Sequence, residues 1–129
     1  MKEVESDLSG KIIGAAIRVH RELGPGFLES VYEEALCLEL AAAGLEFIRQ
    51  MPVEIKYQGK KVGEHRLDLL VGDGVVVELK SVTELHDIFF ATVRSYLKAA
   101  NCSLGLLLNF AATTLQVKRV GREWHSRVE

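Results

Sequence analysis

EHRLDLLVGDGVVVELKS, residues 64 to 81, is the stretch that decides how this chain folds. Two runs rich in strand-forming residues flank Gly72-Asp73-Gly74, a turn-prone triplet, so the spacing predicts strands over about 64–71 and 75–81 joined as an antiparallel hairpin. With those three residues as the loop, Val71 faces Val75, and counting back sets Leu70 against Val76, Leu69 against Val77 and Asp68 against Glu78. Side chains alternate along a strand. One face of the hairpin then carries Leu67, Leu69, Val71, Val75, Val77 and Leu79, suited to a core. The other carries Arg66, Asp68, Leu70, Val76, Glu78 and Lys80. A two-residue turn or a bulge shifts this pairing by one position.

Directly opposed residues hold their Cβ atoms about 4.5 to 5.5 Å apart, where two carboxylates repel unless something neutralises them. A divalent cation does this. Mg²⁺ or Mn²⁺ takes hard oxygen ligands and is commonly held by one or two carboxylates together with waters and substrate phosphate oxygens. Lys80, two residues beyond Glu78 on the same face, supplies an ammonium suited to stabilising charge in phosphodiester hydrolysis or to orienting an attacking water. The plainer alternative makes Asp68 and Glu78 solvated residues of an exposed sheet face, each paired with Arg66 or Lys80.

Outward from the hairpin, residues 8–23 place Ile13, Ala16, Ile17 and Leu23 at helical spacing, with Asp7 or Ser9 as N-cap and Gly24-Pro25-Gly26 as terminator. From Phe27, the set Leu28, Val31, Tyr32, Ala35, Leu36 and Leu40 predicts a second helical stretch closed by Gly44, or a continuation of the first after a break. Val53, Ile55 and Tyr57 alternate with Glu54 and Lys56 as a strand before the hairpin. Phe89, Val93, Tyr96 and Leu97 mark a helix over 85–100, and strands follow at Leu104–Asn109 and Leu115–Val120. The order is helix, three strands, helix, two strands.

The chain has 129 residues, 48% hydrophobic and 26% charged, which is expected to make one domain over 1–129 with its own core. No apolar run reaches the ~18 residues of a membrane span, and MKEVESDLSG lacks the basic start and apolar stretch of a signal peptide, so a cytoplasmic location is expected. Cys37 and Cys102 match no ligand spacing and read as free thiols. A net charge of −2 argues against a protein that coats nucleic acid by bulk electrostatics.

The acidic residue on one strand and Glu78-Leu79-Lys80 on the next resemble the motif of the PD-(D/E)XK nuclease superfamily, although Leu67 stands where that motif has proline. Gly26-Phe27-Leu28-Glu29-Ser30-Val31-Tyr32, with Val19 to Gly26 before it and Leu106 to Phe110 later, further resembles the GxxExxY branch of that superfamily over nearly the whole chain. The resemblance implies an α+β fold with a restriction-endonuclease-like core in αβββαβ order, a mixed central sheet flanked by helices. It also implies that Glu29 is a further acidic member of the site. With Gly26 as N-cap, Glu29 falls at N3, where a carboxylate favours the helix dipole whether or not it has a catalytic role.

Accessory positions follow from the same resemblance. His20 lies on the apolar stripe of the first helix and reads as buried and hydrogen-bonded, placed near the site only by the family. Tyr32 reads as a packing residue with a satisfied hydroxyl. His86 either stays exposed or approaches the metal, while His65 and His125 give no signal. Related nucleases carry Gln-x-x-x-Tyr on the helix after the Glu-x-Lys strand, and here the matching positions are Thr92 and Tyr96. Threonine is too short to span the same gap.

These readings converge on a Mg²⁺-dependent (or Mn²⁺-dependent) phosphodiesterase acting on nucleic acid, DNA foremost. The rival is a non-catalytic nuclease fold that binds nucleic acid or a protein partner. Lys56, Lys60, Lys61, Arg66, Lys118, Arg119 and Arg122 are candidate phosphate contacts, though such clusters more often solvate a strand edge. A homodimer is compatible with every reading.

Overall fold

The structure, a computed structural model, describes residues 3–122, with side chains from Asp7 onward. The elements run α1 (Glu3–Leu23), α2 (Glu29–Ala42), β1 (Phe47–Tyr57), β2 (Lys60–Val71), β3 (Val75–Lys80), α3 (Asp87–Ala100), β4 (Leu104–Asn109) and β5 (Gln116–Gly121). The strands form one five-stranded sheet in the order β1-β2-β3-β4-β5. Only the β3–β4 pair is parallel, and α3 is its crossover; the other three pairs are antiparallel. This is the mixed sheet and α+β class expected.

Both faces of the sheet are covered, which is why β3 and β4 read as nearly continuous apolar runs. On one face α1 and α2 bring Ile12, Ala15, Ala16, Val19, Tyr32, Leu36 and Leu40 against Leu69, Val71, Val75, Val77, Leu79, Leu106 and Leu108. On the other, Val93 and Leu97 of α3 pack on Val53, Leu67, Val76, Leu107 and Val120. Gly105 lets α3 approach closely: a Cβ there would lie 2.6 Å from Val93 Cγ1.

The helices differ from their sequence reading in detail. The first begins at Glu3, so Asp7 and Ser9 lie inside it and neither caps it; Ser9 is buried instead, where its Oγ accepts from Arg119 Nη2 at 3.5 Å. Its buried stripe is Ile12, Ala15, Ala16 and Val19, one position round from Ile13 and Ile17. The second helix is separate, and its N-cap is Leu28 rather than Gly26, which puts Glu29 at the first helical position. Leu28 and Val31 are exposed. Gly44 ends α2 as expected: at φ 76° its N–H donates to Ala41 O at 3.0 Å, and Leu45 N–H donates to Leu40 O at 3.0 Å. Those two bonds form a Schellman closure, favoured by a residue without Cβ.

The hairpin has the inferred loop. Val71 pairs with Val75, Leu70 with Val76 and Leu69 with Val77. Leu67 departs from the expected face: it joins the α3-side cluster, while Leu69 joins the α1/α2-side cluster. The cause lies in β1, where Arg49 pairs with Leu69 and Met51 with Leu67 but Gln50 and Asp68 between them form no pair. Gln50 has a left-handed backbone, φ 52°, and the two strands change face together at that point.

Candidate functional site

Asp68 sits one step past Leu69–Val77, where pairing with β3 stops, and opposite Gln50, where pairing with β1 is interrupted for one residue. By the same count it faces Glu78. The side chains take over where the ladder ends: Asp68 N–H donates to Glu78 Oε1 at 3.1 Å, and Leu79 N–H donates to Asp68 Oδ2 at 2.9 Å. Each carboxylate thus satisfies a backbone N–H of the opposite residue or its neighbour, Glu78 that of Asp68 and Asp68 that of Leu79. The arrangement is a crossed pair. β3 keeps its other edge on β4, with Glu78 against Leu107 and Lys80 against Asn109, so the strand carrying Glu78 is held from behind.

Glu78 is only 6% exposed and so is no solvated residue of an exposed sheet face, while Asp68 is half-buried. Neither Arg66 nor Lys80 pairs with it among the described ion pairs: Arg66 Nη1 donates to Gln50 O at 3.2 Å, and Lys80 Nζ lies 5.0 Å from the centre of the Phe89 ring. Burial, and then the neighbouring Asp68 charge, push the Glu78 carboxyl up to about 8. Burial also raises Asp68, with the Glu33 and Glu29 charges adding to it against the Leu79 N–H. Both carboxyls thus resist ionisation, and ionising both places two negative charges in one small site.

Glu29 stands at the start of α2, where its Oε2 accepts from Ser81 N–H at 3.1 Å, just past the end of β3. Its charge acts on both Asp68 and Glu78. Ser81 Oγ donates to Phe27 O at 3.1 Å, fastening the loop before α2 to the end of the Glu-x-Lys strand. Asn109 secures the next residue. Fully buried, it accepts from Val82 N–H at 3.0 Å and donates to Val82 O at 2.9 Å, continuing the β3–β4 ladder with a side chain.

The accessory residues separate into supports and bystanders. Tyr32 is fully buried, donates to Gly24 O at 2.6 Å and accepts from Phe27 N–H at 3.1 Å, so its hydroxyl closes the loop that presents Glu29. His20 is buried, with Nε2 2.9 Å from Ala112 O and its ring against Phe110, which stacks on Tyr32. His86 is the exposed N-cap residue of α3, with Nδ1 3.7 Å from Glu84 Oε1 and its ring 6.2 Å from that of Phe89. Thr92 donates its hydroxyl back to Ile88 O at 2.8 Å, spending it on its own helix. Tyr96 borders the site: burial and the Glu78 and Asp68 charges raise its phenol, and its ring lies 5.4 Å from that of His65. His65 therefore has Tyr96 as a neighbour, a contact that sequence position did not indicate. His125 lies outside the described residues.

Of the basic residues, Lys61 is engaged with Glu64 at 3.2 Å and Glu54 at 4.0 Å, and Arg122 with Asn101 at 2.9 Å. Sequence reasoning missed Glu33. On the same face of α2 as Glu29, it is buried and accepts from Arg49 and Gln50 of β1. The one available signal was a charged residue at a position, Glu33, adjoining the buried Tyr32.

Among the described residues no three His, Cys, Asp or Glu side chains converge to enclose a metal ion. The crossed pair does offer two hard-oxygen donors, and Mg²⁺ is ordinarily held by one or two carboxylates, with waters and phosphate oxygens completing its shell. The donor chemistry fits such an ion.

Sheet order, crossover helix and an Asp/Glu-x-Lys hairpin define a nuclease-like α+β protein. The chain belongs to the PD-(D/E)XK nuclease superfamily, whose sequence profile matches residues 6–120. No curated protein matches it. Among solved structures it is similar to that of SSO0001, with a TM-score of 0.58 and 15% identity over 75% of this chain and 52% of the other. The chain thus spans about half the length of that protein, and at this identity the likeness is one of fold. No helix of the described residues is long and apolar enough to cross a membrane.

Proposed function

We propose that this chain is a metal-dependent phosphodiesterase of the GxxExxY kind acting on DNA, with Asp68 and Glu78 holding Mg²⁺ (or Mn²⁺), Glu29 assisting and Lys80 stabilising the transition state. The observation that carries the reading is the crossed pair: a buried Glu78 and a half-buried Asp68, both resisting ionisation, whose backbone bonds fix their direction, with an ammonium on the strand of Glu78. When bound, a divalent cation supplies neutralisation of those carboxylates and Lewis-acid activation of a phosphate. The chain's own residues do the rest. The hydrogen bonds from Asp68 and Leu79 N–H hold one oxygen of each carboxylate, leaving the second to face a ligand. Glu29 adds negative charge at the rim, and Lys80 offers a cation to the charge that builds on a phosphoryl oxygen. All four residues lie on one chain, so the reading asks for no second copy.

Purified protein with Mg²⁺ or Mn²⁺ is expected to nick plasmid or branched DNA, whereas Glu78→Ala and Lys80→Ala do not. Equal activity in the wild type and both variants refutes the assignment. One observation favours a second reading, a binding domain that keeps the fold without cleavage: Thr92 turns its hydroxyl onto Ile88 O and offers the site nothing in place of glutamine. Calorimetry decides between them, since a binding domain has no need to take up Mg²⁺ or Mn²⁺.

A further inference from the structure

Asp68 owes its position to an irregularity in the neighbouring strand. In a regular antiparallel ladder Gln50 and Asp68 would pair, because Arg49–Leu69 and Met51–Leu67 flank them in register. Instead Gln50 is left-handed at φ 52°, a conformation that costs a residue with a Cβ of the order of 1 kcal/mol or more. The distortion releases Asp68 from β1, so its N–H and carboxylate are available for the crossed bonds with β3.

Glu33 of α2 engages both residues at the kink, and its neighbour Glu34 shares one of them, accepting from Arg49 Nη2 at 2.5 Å. Glu33 Oε2 accepts from Arg49 Nε at 3.1 Å and from Arg49 Nη2 at 3.0 Å, and its Oε1 accepts from Gln50 Nε2 at 3.0 Å. Arg66, from β2, donates to the Gln50 carbonyl at 3.2 Å. Glu33 is 9% exposed, so its carboxylate is withdrawn from water and satisfied by these donors. It stands four residues after Glu29 on the same helix, so α2 carries one carboxylate toward Ser81 and a second into the kink of β1.

We infer that Glu33 is a positioning residue: by clamping Arg49 and Gln50 it holds β1 in the left-handed kink that frees Asp68 for the crossed carboxylate pair. Glu33 touches no substrate in this role and acts only through Gln50 and Asp68. The inference rests on the metal-site reading for its effect on ion binding, but its effect on backbone geometry is independent of any ion.

The two effects are measured together. In Glu33→Ala, amide hydrogen exchange at Asp68 and Leu79 is expected to accelerate while Leu107, in the β3–β4 ladder, keeps its protection, and Mn²⁺ affinity by calorimetry is expected to fall about 10- to 100-fold. Adding Gln50→Gly is expected to restore both, because glycine holds a positive φ without a clamp. If Glu33→Ala fails to fold, Glu33→Gln, which keeps the shape and removes the Glu33 charge so that Arg49 has only Glu34 as an ionic partner on α2, takes its place in the same comparison. Unchanged exchange and affinity in the folded Glu33 variant overturn the inference, as does a loss that glycine at position 50 leaves uncorrected. A wild type that takes up no Mn²⁺, yet shows this exchange pattern across the variants, refutes the metal reading and keeps the positioning one. Normal Mn²⁺ uptake with an indifferent Glu33 variant does the reverse.

Discussion

Replacing Glu78 by glutamine keeps the shape of the side chain and an oxygen to accept from Asp68 N–H, and removes one ionisable group from the crossed pair. In the metal-free protein this is expected to stabilise the fold. The folded carboxyl titrates at about 8 against an ordinary value of 4.5, so the folded state holds the proton more tightly than the unfolded state. Stability from such a group is fully present below 4.5 and is lost as pH rises through about 8, above which the loss levels off. At pH 7 the unfolded chain is ionised there and the folded chain is protonated, a difference of about 2.5 pH units at roughly 1.4 kcal/mol each, or on the order of 3 kcal/mol. Because Asp68 shares the coupling, we expect Glu78→Gln to gain about 2–3 kcal/mol at pH 7, and under about 1 kcal/mol at pH 5. Urea denaturation in the presence of a chelator, at both pH values, measures it. Added Mn²⁺ should then stabilise the wild type and not the variant. A glutamine variant that is no more stable than wild type at pH 7, or a gain that does not shrink toward pH 5, refutes the account of Glu78 as a buried, charge-strained carboxylate.

The same titration sets a pH dependence for ion uptake: below about 8 a cation must displace the Glu78 proton, so Mn²⁺ affinity should rise with pH by up to about tenfold per pH unit and flatten above about 8, and a pH-independent affinity by calorimetry counts against the site. Tyr32→Phe deletes the hydroxyl that joins Gly24 O and Phe27 N–H, and should cost about 1–3 kcal/mol in urea denaturation; a neutral result means the loop stands without it. Gly105→Ala pushes a Cβ to 2.6 Å from Val93 Cγ1 and should cost about 1–3 kcal/mol, most of it recovered when Val93→Ala is added; a cost that survives the second change points to the strand instead of the helix contact.

How much of this protein was legible in its sequence follows from the range of the forces involved. Element order, the three-residue hairpin loop and the Asp68–Glu78 opposition are products of local chemistry: a period of two, a period near 3.6, and Gly72-Asp73-Gly74 at the turn. Gly44 closes α2 because a positive φ is a backbone property of one residue. Local signals failed where two elements had to agree. Strict alternation sent Leu67 to the face of Leu69, and nothing in either strand announces that Gln50 turns left-handed and carries β2 round with it. Capping rules put Asp7 or Ser9 at the start of α1, yet Ser9 lies buried within the helix, with its Oγ accepting from Arg119 110 positions away.

The sequence by itself determined the identities and spacing of the chemistry, an aspartate on one strand and Glu-x-Lys on the next, because alternation and turn length act over a few residues. Only the tertiary structure decided that the two carboxylates are crossed and Glu78 buried, that Glu29 turns to Ser81 while Glu33 grips β1, and that Thr92 is spent on its own helix. Those outcomes depend on which helix covers which end of the sheet, and burial, which sets the charge state of Glu78, is a property of the packed whole.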